Sequence, residues 1–466
     1  MKIHFLGAAQ SVTGSRHFIE ASDTRFLLDC GLYQERSLRE RNWQPFLIEP
    51  DTLDAVLLSH AHIDHCGLLP KLAREGFKGP ICCTPATADI ARIMLLDSAH
   101  IQEEDAAYKK RRHEREGRKG PYPEIPLYTV EEAERCIDQL SPVEYGEALT
   151  VGNGVEAVFH NAGHVLGSSI IDIRMKEDGE GRRLLFSGDL GRAGQPILHD
   201  PTVFDEADYV LIESTYGDRL HEDSDTISGE LAEVINSTVE AGGNIVIPSF
   251  ALERSQHLMY YLNKLLLSRR IPRLKVFIDS PMAVRITEVF EKHPELYDKE
   301  LTALTRQGKS PFDFLGLTMV KSVEDSKEIN YIRGSVIIIA GSGMCTGGRI
   351  KHHLANNISR AESTILFVGY QAKATLGRHI VDGAKEVRVL GKHYPVRARI
   401  VQINGFSAHA DRDELLSWIS GLKKPPRQIF VVHGEADTTE AFAHFMREKT
   451  GWDVSVANYR EEVTLN

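Results

Sequence analysis

His60-Ala61-His62-Ile63-Asp64-His65 sets four metal-ligand side chains in six positions, directly behind the apolar run Ala55–Ser59. Such a run reads as a buried strand, and the segment leaving it decides the fold. In an extended segment residues i and i+2 point to the same side, so His60 and His62 can meet one ion. Asp64 and His65 stand at a turn into a helix, expected to run through Leu68, Leu69 and Leu72 to Gly76, and aim toward a second ion nearby. Imidazole with carboxylate suits Zn²⁺ and also Mn²⁺. The spacing is not the HExxH of a zincin helix. Helix-start chemistry accounts for Asp64 alone, but not for three His beside it.

Working outward, two loops repeat the form of a β segment ending in a ligand type. Asn161-Ala162-Gly163-His164 follows Glu156–His160, and Ser187-Gly188-Asp189 follows Leu184–Phe186. Taken singly, His164 is a loop histidine and Asp189 a turn residue; their order behind the His cluster gives them weight. Asp29, at the end of Arg25–Asp29 and before Cys30-Gly31, is placed to orient a ligand His from behind. The first third alternates short strands and helices, opening with Lys2–Gly7, and Val143–Asp189 is β-rich. The charged run Lys109-Lys110-Arg111-Arg112-His113-Glu114-Arg115-Glu116 reads as a solvated helix and loop, or as a guide for a polyanion. Pro121, Pro123 and Pro126 break the stretch behind it.

Composition narrows the class. The 466 residues are 42% hydrophobic and 26% charged, as in a cored globular protein of two large or three smaller domains. No apolar run approaches the ~20 residues a membrane span needs, and Met1–Gly7 reads as a strand entering a Gly turn, not a leader. Six Cys without a CxxC pair argue for a reducing cytoplasm over a disulfide scaffold. Cys66, Cys82, Cys83 and Cys345 read as buried thiols. With 55 Lys+Arg against 66 Asp+Glu the formal charge is −11. That does not advertise a nucleic-acid binder, but bound cations would offset carboxylates at a site.

A second block begins near Asp208. Tyr209–Glu213, Asn244–Pro248, Lys275–Asp279, Ser335–Ala340 and Thr364–Gly369 are short apolar runs between helical stretches, the pattern of a parallel α/β sheet. After Val396 the earlier style returns with the strand Arg399–Ile403, a loop holding His409, the helix Asp413–Ile419 and the strand Gln428–Val432 before His433. The reading is one α/β domain, 1–207 and 396–466, interrupted by another, 208–395. In the second block Gly341-Ser342-Gly343-Met344-Cys345-Thr346-Gly347-Gly348-Arg349 follows a strand, and its amides can form an anion pocket or a tight turn. It is not a P-loop, since the GxxxxGK[ST] spacing is absent. Ser249 with Arg254, Ser280, and Gln371-Ala372-Lys373 with Arg378 follow other strands, and could collectively meet phosphates.

The set Asp29, His60 to His65, His164 and Asp189 resembles the metallo-β-lactamase fold of binuclear zinc hydrolases. Glu213 in Glu213-Ser214-Thr215-Tyr216-Gly217, His409 in Ser407-Ala408-His409-Ala410-Asp411 and His433 in Val432-His433-Gly434-Glu435 resemble the three further motifs of its β-CASP branch. The resemblance covers nearly the whole chain. It implies an αββα sandwich interrupted by a β-CASP domain with a mainly parallel sheet. It implies one zinc on His60, His62 and His164, another on Asp64, His65 and His433, and Asp189 bridging them. His409, supported by Glu213, would protonate the leaving oxygen, a task suited to a group with an ordinary pKa near ~6.5. In this family a His at the third of those motifs accompanies RNA-processing members, so His433 favours RNA.

The expectation is a zinc ribonuclease cutting single-stranded RNA in a cleft between domains, its phosphates met by Ser249, Arg254, Ser342, Gly343, Lys373 and Arg378. The further C-terminal domain of RNase J enzymes is lacking, which tips the expectation to internal cleavage, with 5′→3′ exonuclease action beside it. No aromatic-rich RNA-binding signature is present, so base specificity is expected to be weak. The resemblance leaves a homodimer open. The rival readings are a DNA nuclease, a glyoxalase-like ester or thioester hydrolase that would not need residues 208–395, and a scaffold that has lost its ligands. No ligand is missing.

Overall fold

Ala55–Leu57 is buried at every position and pairs in parallel with Thr24–Leu28 on one side and Ile81–Cys83 on the other. A short run buried on both faces reads as continuous apolar sequence, because helices cover one side and a second sheet the other. The computed structural model describes residues 1–119, 123–177, 179–221 and 224–466; Pro121, at the end of the charged run, lies outside the described residues. One unit comprises Met1–Ala193, Asp200–Leu220 and His409–Asn466, the other Gly194–His199 and His221–Ala408.

The first unit holds two seven-stranded sheets. One runs in the order Glu462–Thr464, Lys2–Phe5, His17–Ala21, Thr24–Leu28, Ala55–Leu57, Ile81–Cys83, Leu140–Pro142. The other runs Val454–Val456, Gln428–Val431, Tyr209–Ile212, Glu180–Phe186, Ser169–Glu177, Val155–Asn161, Ala148–Gly152. Phe5, Phe26, Leu28 and Leu57 from one sheet meet Phe159, Ile171, Leu184, Phe186 and Phe430 from the other in a single core. On the far face of the second sheet, Ile170, Leu185, Val210 and Ile429 pack under Leu415 and Ile419 of the helix Arg412–Ile419 and Phe442 and Met446 of the helix Ala436–Thr450. Helices Leu69–Arg74, Pro85–Glu116 and Val130–Ile137 pack together beside the first sheet. This is the helix–sheet–sheet–helix sandwich that the resemblance implies.

The second unit is built on a sheet ordered Leu317–Met319, Lys275–Asp279, Val336–Ala340, Ile245–Pro248, Thr364–Phe367, Arg399–Gln402, parallel at every pairing. The inserted domain with a parallel sheet is therefore observed. Parallel strands place all their carboxyl ends at one edge, so the loops after Pro248, Asp279, Ala340 and Phe367 share that edge.

Three expectations are corrected. Tyr209–Ile212, read with the second block, pairs with Leu184–Phe186 and Gln428–Val431 inside the first unit. Arg399–Gln402, read with the returning domain, is an edge strand of the inserted sheet beside Thr364–Phe367. An apolar run is the same signal in any buried parallel sheet, so its partner, not its composition, assigns it. The units accordingly change over at Leu220 and Ala408, not at 208 and 396. The single helix expected from Asp64 to Gly76 is two, Ile63–Cys66 and Leu69–Arg74, because Pro70 has no N–H to continue the ladder and starts a new turn. All six Cys are buried and free. Among the described residues no helix is long and apolar enough to cross a membrane.

Candidate metal centre

The cluster behind Ala55–Leu57 splits between two neighbouring groups. His60 Nε2 lies 3.0 Å from His62 Nδ1, and His164 Nε2 lies 3.3 Å from that same atom. Asp189 Oδ2 stands 3.5 Å from His60 Nε2 and 3.6 Å from His164 Nε2. Beside this group, His65 Nε2 is 3.1 Å from His433 Nε2, with Asp64 Oδ2 3.7 Å from that nitrogen of His433. Asp189 Oδ1 is 3.4 Å from His65 Nε2 and 3.4 Å from His433 Nδ1. One oxygen of Asp189 thus faces each group.

The donor chemistry fits divalent cations. Asp189 Oδ1 is buried and accepts no hydrogen bond among the described residues, which is costly for a carboxylate oxygen unless a cation meets it. Burial, reinforced for His60 by His65, pushes the His60 pKa well below the usual imidazole value and that of His62 to about 4. Both rings are therefore neutral at pH 7 and can offer lone pairs. Burial works against a charge on Asp189, but His433 and His65 outweigh it and hold its pKa far below the carboxylate range. Burial also opposes charge on His65, yet Asp189 and Asp29 together raise its pKa well above the ordinary value. The same negative field favours a metal cation at that nitrogen.

Local structure explains why these atoms converge. Asp29 sits at φ +59° and accepts from the Ser59 N–H at 2.8 Å, the Ser59 hydroxyl at 3.0 Å and the Ser15 hydroxyl at 2.9 Å. So anchored, it engages His65 Nδ1 at 2.7 Å and leaves Nε2 facing the centre. Gly31 is required beside it: a Cβ there would stand 1.6 Å from the Asp64 carbonyl oxygen. The His164 loop is held by the Ser168 hydroxyl, which accepts from the N–H groups of His164 and Val165, each at 3.1 Å. It packs on the Asp189 loop through the Gly191 N–H donated to the Ala162 carbonyl at 2.8 Å. His433 takes φ +51°, a conformation that persists only where surroundings enforce it. Here its N–H donates to Ala8 O at 2.7 Å, and the Thr215 hydroxyl lies 3.2 Å from its Nδ1.

His409 stands beside the first ligand group, its ring centroid 4.4 Å from that of His164 and its Nδ1 3.9 Å from Asp189 Oδ2. Glu213 Oε1 engages the same Nδ1 at 3.2 Å while accepting the Leu190 N–H at 2.7 Å. Burial would lower the His409 pKa, but Glu213, then Asp189 and Asp64, raise it to about 9. His409 precedes a helix capped by Asp411, which accepts from Asp413 and Glu414 N–H groups at 3.0 Å each. The Ala410 N–H donates to Leu190 O at 2.8 Å, tying this motif to the Asp189 loop. Sequence reasoning missed Ser15, Ser59, Leu190 and Thr215, whose only signal was adjacency to motif residues.

Comparison with known proteins identifies the family. A family model described as metallo-beta-lactamase superfamily matches residues 14–228, one described as Beta-Casp domain matches 255–380, and one described as Zn-dependent metallo-hydrolase RNA specificity domain matches 393–457. The chain is 39% identical over 465 residues to ribonuclease TTHA0252 of Thermus thermophilus, covering 100% of both. The chain belongs to the β-CASP branch of the metallo-β-lactamase family. It is therefore a metal-dependent hydrolase. It is also 32% identical over 461 residues to the transcription termination factor FttA of Methanocaldococcus jannaschii, covering 96% of this chain and 69% of that one. A crystal structure of a protein of unknown function from Enterococcus faecalis shares the fold, with a TM-score of 0.56 at 12% identity, covering 99% of each chain.

In the β-CASP unit the loops at the carboxyl edge of the sheet do gather. A Cβ on Gly341 would lie 3.5 Å from Ser280 Oγ, and one on Gly343 2.8 Å from the Phe250 ring. Most of the residues expected to meet phosphate are engaged within this edge. Ser249 Oγ lies 3.1 Å from Ser255 Oγ, and Arg254 donates to the Val368 carbonyl. Ser342 Oγ accepts from the N–H groups of Thr346 at 3.0 Å and Gly347 at 3.3 Å, so it closes its own loop. Gly343 O accepts from Gln371 Nε2 at 3.0 Å, and Arg378 pairs with Asp382 at 2.8 Å. Lys373 is exposed, with no ion-pair partner among the described residues.

Proposed function

We propose that this chain is a two-zinc ribonuclease that hydrolyses phosphodiester bonds of single-stranded RNA, principally by internal cleavage. The observation that carries this reading is the pair of ligand groups sharing Asp189, with the His409–Glu213 pair beside them. His60, His62 and His164 would hold one ion, and Asp64, His65 and His433 the other, with Asp189 offering an oxygen to each. Bound ions there supply an activated water and neutralise phosphate charge.

The remaining work falls to the chain. Glu213 engages His409 at Nδ1 and orients the ring, from which the leaving oxygen would take a proton. A pKa raised to about 9 keeps that proton in place at neutral pH. Asp29 orients His65, and Glu213 also steadies the backbone next to Asp189 through Leu190. The 39%-identical relative is named a ribonuclease, and that name together with the match to an RNA specificity domain supports RNA as the polymer.

The test is to incubate zinc-loaded protein with RNA and DNA of one sequence, labelled internally and at the 5′ end, and to resolve products to single nucleotides. Internal cuts confined to RNA support the proposal. Equal cleavage of DNA replaces it with a DNA nuclease, and release of 5′ mononucleotides alone replaces internal cleavage with an exonuclease. Neither polymer cut would overturn it.

A further inference from the structure

Pro85–Glu116 is a helix of 32 residues, roughly 48 Å at 1.5 Å per residue, and its two parts differ. The stretch from Pro85 to Ala106 is fastened. The Thr84 hydroxyl caps it through the Thr87 N–H at 3.2 Å, Ser98 Oγ meets Tyr128 Oη at 2.8 Å, and Gln102 and Glu103 accept backbone N–H groups of Leu127 and Val130 at 3.1 and 3.0 Å. The last buried position is Ala106. Beyond it only His113, held by Glu124 at 2.5 Å, turns inward.

The opposite stripe of that second part carries Tyr108, 59% exposed, then Arg111 and Arg115 at i+3 and i+7. From Lys109 to Lys119 the sequence holds seven Lys or Arg against two Glu, in a chain whose formal charge is −11. Glu116 is taken by Arg112 at 2.8 Å and by Arg118 at 2.6 Å. Lys109, Lys110, Arg111, Arg115 and Lys119 are exposed, with no ion-pair partner among the described residues. Cations in a last turn suit the helix dipole, which accounts for Arg115. It does not account for Lys109, Lys110 and Arg111, which lie further from the end. Like charges at i and i+4, as in Arg111 with Arg115, work against an isolated helix. An anionic strand laid along the stripe removes that repulsion, and Tyr108 offers a ring face to an unpaired base.

We propose that the basic end of this helix is a docking surface for single-stranded RNA, separate from the metal centre, which holds a part of the strand that is not being cut. The inference rests on the ribonuclease reading for the identity of the polyanion. Charge complementarity selects the occupant: exposed, unpaired cations with little apolar surface fit a phosphate backbone.

The test measures binding of a long single-stranded RNA and a short oligonucleotide by fluorescence anisotropy across a salt series. It uses the full chain in a His409→Ala background, so that the probe is not consumed. Combined Lys109→Gln, Arg111→Gln and Arg115→Gln changes should weaken long-RNA binding ~10-fold and flatten the log–log salt slope by roughly 2. Short-oligonucleotide binding should not change, and Lys423→Gln, which removes an exposed cation elsewhere, should change neither. Wild-type affinity and slope for long RNA in the triple variant would overturn the proposal, as would equal loss for both lengths. Failure of the ribonuclease reading shows separately, as no cleavage of either RNA by the metal-loaded wild type, because the docking test reads binding alone.

Discussion

The metal centre and the loop edge of the β-CASP sheet are both made of polar side chains that follow buried strands, but they are built in opposite ways. At the centre, donor atoms are left facing one another: Asp189 Oδ1 has no hydrogen bond among the described residues, and two neutral imidazoles stand 3.0 Å apart. At the loop edge most of the polar atoms are spent on the loops themselves, Ser342 on two backbone amides and Arg378 on Asp382, with the buried Gln371 Oε1 an exception among the described residues. Buried polar groups normally find partners inside the protein. A group of them that converges without doing so is arranged for something absent from the chain, whereas a satisfied one is arranged for shape.

The strongest way to break this contrast is to remove the shared oxygen pair. Asp189→Ala should lower both metal content and turnover, the latter by more than the ~10²–10⁴-fold that loss of a proton donor costs. Metal analysis of purified protein alongside RNA cleavage checks this, and full metal occupancy in the variant would show that Asp189 bridges nothing. The next effect separates ligand from proton donor. His409→Ala should keep its metal and lose ~10²–10⁴-fold in turnover, while His62→Ala loses metal as well. Matched metal loss in the two variants would erase that division.

A third test asks whether the β-CASP unit is as self-satisfied as its loops suggest. Behind the Gly loop, Asp279 is fully buried and meets Arg349 at 2.6 Å, His353 at 2.6 Å and Ser326 at 2.5 Å. Burial opposes its charge, but His353, Ser326 and Arg349 hold its pKa below the ordinary carboxylate value. A group with a lowered folded-state pKa stabilises above its unfolded value, near ~4, and that stability is lost as pH falls through the folded value. Asp279→Asn should therefore cost about 3 kcal/mol at pH 7, and the gap to wild type should narrow under acid. Thermal melts across pH 3 to 8 measure it, and a gap that stays constant with pH would remove Asp279 from the explanation. The smallest effect is expected at Lys373, a loop-edge cation that is exposed and has no ion-pair partner among the described residues. Lys373→Ala should weaken RNA binding about 3-fold and lower the salt slope by roughly 1, whereas Arg378→Ala, already paired, should do less. Equal slopes in the two would mean that pairing within the loop does not decide which cations meet phosphate.

Much of the centre was legible because its chemistry is local. His60, His62, Asp64 and His65 are adjacent in sequence, and strand-end positions marked His164 and Asp189. Glu213 shows where legibility ended. Its strand was read into the inserted domain, yet pairing with Leu184–Phe186 and Gln428–Val431 carries it into the sandwich, within reach of His409. Ser59 and Thr215 were invisible for a related reason, since a hydroxyl beside a motif has no pattern of its own until its partner is known. Ser249, Arg254, Ser342 and Arg378 were read as residues following strands, but nothing local to them revealed that each was already engaged.

By itself, then, the sequence determined the kinds of donor, their order and the strand ends on which they stand, because residue type and alternation act over a few positions. The division into two groups, the sharing of Asp189 and the pairing of Glu213 with His409 were expected from the resemblance, not from any local pattern, and physically they are tertiary arrangements. Those depend on distances between residues up to 368 positions apart, as between His65 and His433. Such distances follow from which strands pair and how two sheets close on one core, and both are properties of the whole chain.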